Sequence, residues 1–273
     1  MILQFVDKGN LRSVLSSNFN NILWKDKIKD LCKILFDLKN LHELGYFHKD
    51  FHSGNILCKS NTYSLVSDFG LSGPSNKQKS DDKICGVLPY IAPEVLNGES
   101  YTISSDMYSF GVIMAELSSG KPPFHKRKHD TDLVLAICNG LRPEFGKGTP
   151  EIYKKLAYRC MNANPDQRPT APEIYEIFAF WVYAIDTSSF RHNECQEREE
   201  FGYKGKEIKT MFDEADKEIP NISTSYEKNP DAIYTSRAFT FSKLPKPINS
   251  SIVTSYLNDE ENNKGIVFKM FIQ

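Results

Sequence analysis

Two short polar segments on either side of a predicted β-hairpin constrain this chain more than any other feature of its sequence. Residues 48–55 read HKDFHSGN, and residues 68–70, which begin thirteen positions after Asn55, read DFG. Between them, two short apolar runs joined by a polar turn have the pattern of paired strands. We therefore expect Asp50, Asn55 and Asp68 to converge on one patch of the folded chain.

Helical periodicity dominates most of the remaining sequence before the tail. From 24 to 44, apolar residues recur at steps of three and four, which predicts a helix with one buried face that ends at Gly45. A second long helix is expected to begin at Ser104 or Ser105 and to end before Gly120. Shorter helical patterns follow at 131–139, 151–161 and 171–184. These patterns together predict a mainly helical domain.

The sequence changes character after about residue 186. The remaining residues are rich in Glu, Lys, Asn, Ser and Thr and contain prolines at 220, 230, 245 and 247. Residues 196–218 have a pattern that a helix could adopt, and from Ile219 onward the composition predicts mostly disordered chain. We accordingly divide the chain into a folded domain, 1–185, and a tail, 186–273.

The net charge, the longest apolar run and the cysteines bear on which partners and which cellular location to expect. The formal net charge of −1 gives no overall field that would favour nucleic acid or a membrane surface. The longest apolar run, 177–185, is far shorter than the roughly 20 residues that a membrane-spanning helix needs. The six cysteines stand far apart without a C-x-x-C pair, as free thiols do. We therefore expect an intracellular, cytoplasmic protein.

The side chains of the two polar segments suit the chemistry of phosphate transfer. A carboxylate held on a loop, such as Asp50, can accept the proton of an incoming hydroxyl, while Asn55 and Asp68 can offer oxygen atoms to a magnesium ion held by phosphates. Each segment alone is weak evidence, because His-x-Asp and Asp-Phe-Gly are common and either aspartate could simply cap a turn. The order and spacing of several segments carry more weight than any one of them.

Three further segments follow the first two, reading GVLPYIAPE at 86–94, SDMYSFG at 105–111 and DQRP at 166–169. The five segments, in this order, resemble those of eukaryotic protein kinases, and the likeness covers about residues 1–184. The form His-Ser-Gly-Asn is similar to that of the tyrosine-kinase-like group. The resemblance implies a mainly α fold, the C-terminal lobe of a kinase, built as a helical bundle with short β-hairpins at the catalytic loop and followed by a largely disordered tail.

The resemblance also assigns roles to individual residues. It implies a catalytic loop carrying Asp50, Lys49 and Asn55, with Asp50 as proton acceptor, and magnesium ligands at Asn55 and Asp68, so that ATP and Mg²⁺ are the expected cofactors. Residues 3–11 look like the hinge of a kinase. Leu3 would then be the gatekeeper, the backbones of Gln4 and Val6 would meet the adenine edge, and Leu57 would lie beneath the ring; Leu57 could equally be an ordinary core residue.

Other residues of the motifs are expected to have structural roles. The resemblance implies a buried ion pair between Glu94 and Arg168, and it implies that Asp106 caps the backbone of the catalytic loop from a buried helix. His48 is expected to pack near Phe69 and not to act as a base.

The chain departs from the kinase pattern in two ways that bear on activity. It begins at the hinge, and it contains neither a Gly-x-Gly-x-x-Gly loop nor a Val-Ala-x-Lys strand, so that half of the nucleotide clamp is missing. Weak nucleotide binding and little turnover are expected of this chain alone. Lys49 stands where most kinases carry Arg, and phosphorylated Ser80, one of few hydroxyl residues between 71 and 89, could pair with it.

Three functions remain open on the sequence. The first is a protein kinase that transfers the terminal phosphoryl group of ATP to a protein hydroxyl, Ser or Thr in preference to Tyr, although His52 and Val87 stand where Ser/Thr kinases usually carry Lys and Thr. The chain would then belong to a longer product or use a small lobe supplied in trans. The second is a catalytically silent scaffold or binding module whose uncovered upper face takes a partner. The third is a product that does not fold.

Overall fold

A computed structural model of the chain describes residues 6, 8–60, 63–74, 84–186, 197–241 and 244–258, and every structural statement below refers to these residues. The helices within them follow the chain in this order: α1 Leu11–Asn18, α2 Trp24–Glu43, α3 Pro93–Leu96, α4 Ile103–Ser119, α5 Thr131–Cys138, α6 Glu151–Cys160, α7 Ala171–Ile185, α8 Gly205–Glu218 and α9 Ser251–Asn258.

The strands of the described residues are short and pair in twos. They are β1 Tyr46–Phe47, β2 Ile56–Ser60, β3 Tyr63–Val66, β4 Gly73–Pro74, β5 Ile84–Gly86, β6 Glu199–Glu200, β7 Tyr203–Lys204 and β8 Arg237–Phe239. The antiparallel pairs are β1 with β4, β2 with β3, β5 with β8, and β6 with β7. The mainly helical architecture with short hairpins beside the 48–55 loop is as predicted.

Helix α4 forms the centre of the core. Its residues from Ser105 to Ser119 are all buried, because neighbouring elements surround the helix, and the run from Phe110 to Ala115 is apolar or glycine throughout. At Gly111 a Cβ atom would come within 2.9 Å of the Ala157 carbonyl oxygen, so a residue without a side chain lets α4 and α6 approach closely. The long amphipathic helix α2 packs against α7 on the other side of the core.

The predicted helix boundaries agree closely with the observed ones. Helix α2 begins at Trp24 and ends at Glu43, and Gly45 adopts a positive φ of 76° just beyond it. Helix α4 begins slightly earlier than predicted, since Thr102 is its N-cap and forms a capping box with Ser105.

The structure differs from the sequence expectation in the tail. Helix α8 is shorter than the 196–218 segment, and it follows the β6–β7 hairpin. Beyond it, residues 219–241 and 244–258, for which we predicted mostly disordered chain, are ordered against the helical domain formed by the described part of residues 8–186, with Ile219, Ala232 and Val253 buried. We call this helical domain the lobe, as a label only. The composition misled because these apolar residues are far apart in the sequence and each enters its own site on the lobe. Residues 259–273 lie outside the described residues.

The tail is tied to the lobe by aromatic rings and backbone hydrogen bonds. The ring of Phe212 in α8 lies 5.6 Å from that of Trp24 in α2, and Tyr256 in α9 lies 4.6 Å from Tyr158 in α6, between ring centroids.

No helix in the described part of the chain combines the length and the apolar character needed to cross a bilayer. The cysteines within that part are free thiols: Cys32, Cys58, Cys85, Cys138 and Cys160.

Candidate active site

The 48–55 loop is held from beneath by a buried carboxylate on α4. Asp106 is 2% exposed, and its two oxygens accept hydrogen bonds from the backbone N–H groups of His48, at 2.7 Å, and Lys49, at 3.2 Å. The ring Nε2 of His42, near the end of α2, lies 3.0 Å from the same carboxylate. The predicted capping role of Asp106 is confirmed, and the loop is thereby fixed to the core of the lobe.

Asp50 follows a strained turn in the backbone and lies in a nearly closed environment. Lys49 has a positive φ of 67°, and Asp50 is 7% exposed. The Nε2 atom of His52 is 3.5 Å from Asp50 Oδ1. Since His52 Nδ1 accepts the N–H of Gly54 at 2.9 Å, the ring proton is on Nε2 and faces the carboxylate.

The surroundings of Asp50 favour its ionised form. Burial raises the pKa of the Asp50 carboxyl, but hydrogen bonding from the His52 ring and from the Ser236 hydroxyl outweighs burial and holds the pKa below its ordinary value. Asp50 is therefore a carboxylate at neutral pH, able to orient a hydroxyl and to accept its proton.

Asn55 and Asp68 are linked through the residue between β3 and Asp68. The Asn55 Nδ2 group donates to the Asp50 carbonyl at 2.9 Å, and the Asn55 carbonyl accepts from the N–H and the hydroxyl of Ser67, at 2.9 and 2.8 Å. Asp68, the next residue, is exposed and has a left-handed backbone with φ 61°. Asp50, Asn55 and Asp68 are thus neighbours in one unit of the chain, linked by hydrogen bonds through Asn55 and Ser67. That their side chains converge on one site stays a prediction.

The oxygen atoms of this unit fit a magnesium ion in part. With its Nδ2 turned to Asp50, Asn55 keeps its Oδ1 for another partner, and the exposed Asp68 supplies a carboxylate; both are hard oxygen ligands of the type that Mg²⁺ binds. Within the described part of the chain no three His, Cys, Asp or Glu residues come together as a metal site. An ion here would therefore complete its coordination with water and nucleotide phosphates.

Some of the other predicted site residues lie within the described residues and some lie outside them. His48 packs against Phe69 with ring centroids 5.3 Å apart, as predicted. Leu57 and Val6 are half-buried, and the Cys58 N–H donates to the Gly9 carbonyl at 2.9 Å, so the segment after Val6 runs beside β2. Their contact with adenine stays a prediction. Leu3, Gln4 and Ser80 lie outside the described residues.

The side chain of Lys49 lies between the Phe47 ring and strand β4. Its Nζ atom lies 5.2 Å from the centroid of the Phe47 ring, and it would be 3.5 Å from a Cβ atom at Gly73 in β4. The lysine is therefore placed beside the chain segment that leads towards residues 75–83, which are not described. Its pairing with a phosphorylated serine stays a prediction.

Glu94 and Arg168 form the buried ion pair that the motifs implied. Arg168 Nη1 and Nη2 donate to Glu94 Oε1 and Oε2 at 2.7 and 2.6 Å, in a two-pronged arrangement, and both residues are buried. Arg168 also donates to the carbonyls of Asn162 and Ser104. The pair ties the segment after β5 to the turn before α7.

A second buried polar network was not predicted from the sequence. Glu116 of α4 accepts hydrogen bonds from the Tyr90 hydroxyl at 2.6 Å and the Ser53 hydroxyl at 3.0 Å. The Nε atom of Arg12 in α1 lies 3.8 Å from Glu116, and Arg12 also donates to the Tyr234 carbonyl in the tail at 3.0 Å. Only the folded chain brings these five segments together, so no local pattern could reveal the network.

The tail also reaches the candidate site itself. Strand β8 pairs with β5, and Ser236, the residue just before β8, is close enough to Asp50 to help lower the pKa of its carboxyl. Neither Ser236 nor Arg12 belongs to a sequence motif, and the tail had been expected to be disordered.

Comparison with known proteins agrees with this geometry. The family model described as the protein kinase domain matches residues 1–178. A probable serine/threonine-protein kinase of Dictyostelium discoideum is 34% identical over 182 residues, 64% of this chain and 17% of that protein. Another from the same organism is 31% identical over 190 residues, covering 68% and 27%. A putative serine/threonine-protein kinase/receptor of Acanthamoeba polyphaga mimivirus is 28% identical over 184 residues, covering 66% and 11%. The matched region is thus about a tenth to a quarter of the length of these relatives.

Proposed function

Since this chain belongs to the protein kinase family, we propose that it forms the acceptor-binding, proton-accepting part of an ATP-dependent serine/threonine protein kinase. The observation that carries the proposal is the unit in which Asn55 bonds to the Asp50 carbonyl and to Ser67, the residue before Asp68, while Asp106 fixes the loop to the core. Such a unit suits phosphoryl transfer, in which positioning and charge stabilisation supply most of the rate.

Each residue of the unit has a distinct task in the proposal. Magnesium and ATP, when bound, supply the phosphoryl group and neutralise its developing charge. Asn55 and Asp68 hold the metal through side-chain oxygens. Asp50 accepts the proton of the protein hydroxyl and orients it, and His52 keeps the Asp50 carboxylate ionised through its Nε2 proton.

Serine and threonine are the proposed acceptors. The relatives quoted above carry serine/threonine-protein kinase in their names, and the His-Ser-Gly-Asn form of residues 52–55 supports a place in the tyrosine-kinase-like group. The buried position of Asp50 agrees with this choice, because a short side chain brings the acceptor backbone close to the loop, whereas tyrosine would hold it farther away.

The upper face of the lobe is proposed to bind a nucleotide-clamping segment that lies outside the described residues. Phe69 and Leu71 are 50% and 40% exposed beside Asp68, where apolar side chains of this size favour a covering partner. The segment comes either from a longer form of the chain or from a partner in trans. Without it, nucleotide binding is weak.

A second candidate, a silent binding module, is favoured by one observation. The tail lies over Asp50, so an external acceptor cannot reach the carboxylate while Ser236 stays in place. A module of this kind would bind Mg²⁺ and ATP, or a partner, without transferring phosphate.

Transfer of labelled phosphate from ATP to mixed serine, threonine and tyrosine peptides separates the two candidates. The full chain and the variant Asp50→Asn are compared, with Asp132→Asn, an exposed residue in the first turn of α5, as the matched control. The proposal predicts labelled serine and threonine, a rate about a hundredfold lower for Asp50→Asn, and no change for the control. Nucleotide binding with no transfer to any peptide, or to the protein itself, would favour the silent module.

A further inference from the structure

The tail crosses the lobe as an extended segment that is bonded to it at several points. The backbone N–H of Asn229 donates to the His125 carbonyl at 2.8 Å, and that of His129 donates to the Asp231 carbonyl at 3.1 Å. The ring of Tyr226 lies 4.5 Å from that of His125. We call residues 226–239 the crossing segment. The lobe supplies hydrogen-bond partners to several of its backbone groups, as a protein does for a bound peptide.

Tyr234 anchors the middle of the crossing segment. Its ring lies 4.8 Å from the Arg12 guanidinium and 4.8 Å from the His129 ring, and its hydroxyl donates to the Pro123 carbonyl at 2.9 Å. Arg12 also donates to the Tyr234 carbonyl. With its hydroxyl and ring both engaged, Tyr234 fixes the position of the residues that follow.

The crossing segment ends as a strand beside Asp50. Arg237 pairs with Gly86, Ala238 with Cys85 and Phe239 with Ile84 in an antiparallel arrangement. Gly86 is next to the carboxylate, because a Cβ atom on it would be 3.3 Å from Asp50 Oδ1. The pairing therefore brings Ser236, the neighbour of Arg237, to Asp50.

Ser236 meets the requirements of an acceptor hydroxyl. The strand pairing places it beside Asp50, and its hydroxyl helps to lower the pKa of that carboxyl. The residue as a whole is exposed, so that the side away from Asp50 is open. The hydroxyls of its neighbours differ in this respect, since that of Tyr234 is bonded to Pro123. Thr235, exposed and adjacent, provides a matched control.

We propose that the crossing segment occupies the acceptor groove of its own lobe and that Ser236 is an intramolecular phosphate acceptor, an inference that rests on the proposed function. In the transfer step, Ser236 Oγ bonds to the terminal phosphorus of ATP while the bond from that phosphorus to the bridging oxygen breaks. The hydroxyl proton passes to Asp50 and ADP leaves. Until then, the crossing segment excludes other protein acceptors.

Phosphorylation of Ser236 would also release the segment. A phosphoserine carries close to two negative charges at neutral pH. Beside the ionised Asp50 carboxylate, this charge is repelled, and the repulsion acts on the three-residue β5–β8 pairing next to Ser236. The groove would then open to an external acceptor.

Amide hydrogen exchange of the full chain, without nucleotide, tests the placement of the crossing segment. The wild-type chain is compared with Ser236→Glu, which adds a carboxylate beside Asp50, and with Thr235→Glu, which adds the same charge one residue away. The expected result is protection of amides in 84–86 and 237–239 that falls about tenfold or more in Ser236→Glu alone. Unprotected amides in the wild type would overturn the placement.

Incubation of the full chain with Mg²⁺ and ATP tests the transfer step. Peptide mass spectrometry is expected to find phosphate on Ser236 with a half-time that does not depend on protein concentration, since the transfer is intramolecular. Thr235→Val should retain this phosphate, and Asp50→Asn should lack it. Phosphate on an added peptide but not on Ser236 would overturn the inference while leaving the proposed function intact.

A further result separates failure of the inference from failure of the proposed function. If no acceptor at all is phosphorylated, while exchange protection is lost in Ser236→Glu alone, the proposed function fails together with the acceptor role of Ser236. In that case the crossing segment would still occupy the groove, but it would cover a site that transfers no phosphate.

Discussion

The Asp106 carboxylate accepts the backbone N–H of His48 at 2.7 Å, which couples the long buried helix α4 to the loop that carries Asp50. The same carboxylate binds the N–H of Lys49, whose positive φ turns the chain towards Asp50. The position of the candidate catalytic carboxylate therefore depends on a side chain 56 residues later in the sequence.

The variant Asp106→Asn should destabilise the lobe by about 1–3 kcal/mol, because an amide N–H₂ replaces one acceptor oxygen and leaves a buried backbone donor unpaired. Urea unfolding of wild type and variant measures the change. The exposed Asp132→Asn should stay within about 0.5 kcal/mol of wild type. Equal losses in the two variants would show that the Asp106 contacts contribute nothing specific.

Removal of one partner of the Glu94–Arg168 pair should be among the most damaging changes in the lobe. Arg168→Met leaves the Glu94 carboxylate buried without its cation, and about 3–5 kcal/mol of unfolding free energy should be lost. The double variant Glu94→Leu/Arg168→Met should recover part of this loss.

A double-mutant cycle measures the coupling between Glu94 and Arg168, with the exposed pair Lys209–Asp213 in α8 as the control. The exposed pair should couple by no more than about 0.5 kcal/mol. A coupling of that small size at Glu94–Arg168 would contradict the account of a buried, two-pronged pair.

Lys27 should make stability depend on pH. It is 1% exposed, with Nζ 3.9 Å from the centroid of the Phe19 ring, and burial lowers its pKa to about 7, against an opposing effect of Asp216. Between about pH 7 and 10.5 the unfolded chain binds a proton at Lys27 that the folded chain lacks, so this residue makes stability rise with pH. Its destabilising effect is fully present below pH 7.

The variant Lys27→Met isolates that contribution. The excess stability of the variant over wild type should be largest at pH 7 and should shrink towards pH 10, by up to about 1.4 kcal/mol per pH unit. Urea unfolding at pH 7, 8, 9 and 10 gives the difference in unfolding free energy between the variant and the wild type. The other titrating groups are the same in both proteins, so their contributions cancel in this difference. A difference that does not change with pH would mean that Lys27 titrates alike in both states.

Gly140→Ala should loosen the last part of the tail. Gly140 has a φ of 91°, and a Cβ atom on it would overlap the backbone nitrogen of Ser250, just before α9. Gly98→Ala is a matched control, since Gly98 has a φ of 94° with no atom near its missing Cβ. Hydrogen exchange of α9 should accelerate in Gly140→Ala alone; equal exchange in both variants would show that backbone strain is the whole effect.

The sequence predicted those parts of the site that lie within short motifs. The Glu94–Arg168 pair, which the family resemblance implied, is observed. Asp50, Asn55 and Asp68 flank one hairpin, as their spacing indicated, and the convergence of their side chains stays a prediction. These features depend on local chain geometry and on the family likeness.

The covering of the site by the tail could not be predicted in this way. Strand β8 joins β5 across about 150 residues. Tyr234, just before β8, is bonded to Arg12, whose position depends on a network with Glu116 that forms only in the folded lobe. The polar composition correctly predicts that most of this segment is exposed to solvent. It does not reveal that a few residues, such as Ala232 and Tyr234, attach the segment to the lobe.

The central claim is that Asp50, Asn55 and Asp68 form one site for a magnesium-bound nucleotide. The most direct measurement is the unfolding temperature of the full chain and of Asp68→Asn, with millimolar ATP in magnesium or in excess chelator. A ligand that binds only the folded state stabilises it in proportion to its occupancy. The account predicts a rise in unfolding temperature for the wild type that requires magnesium and is largely lost in Asp68→Asn. No rise at millimolar nucleotide, or an equal rise in chelator or in the variant, would contradict it.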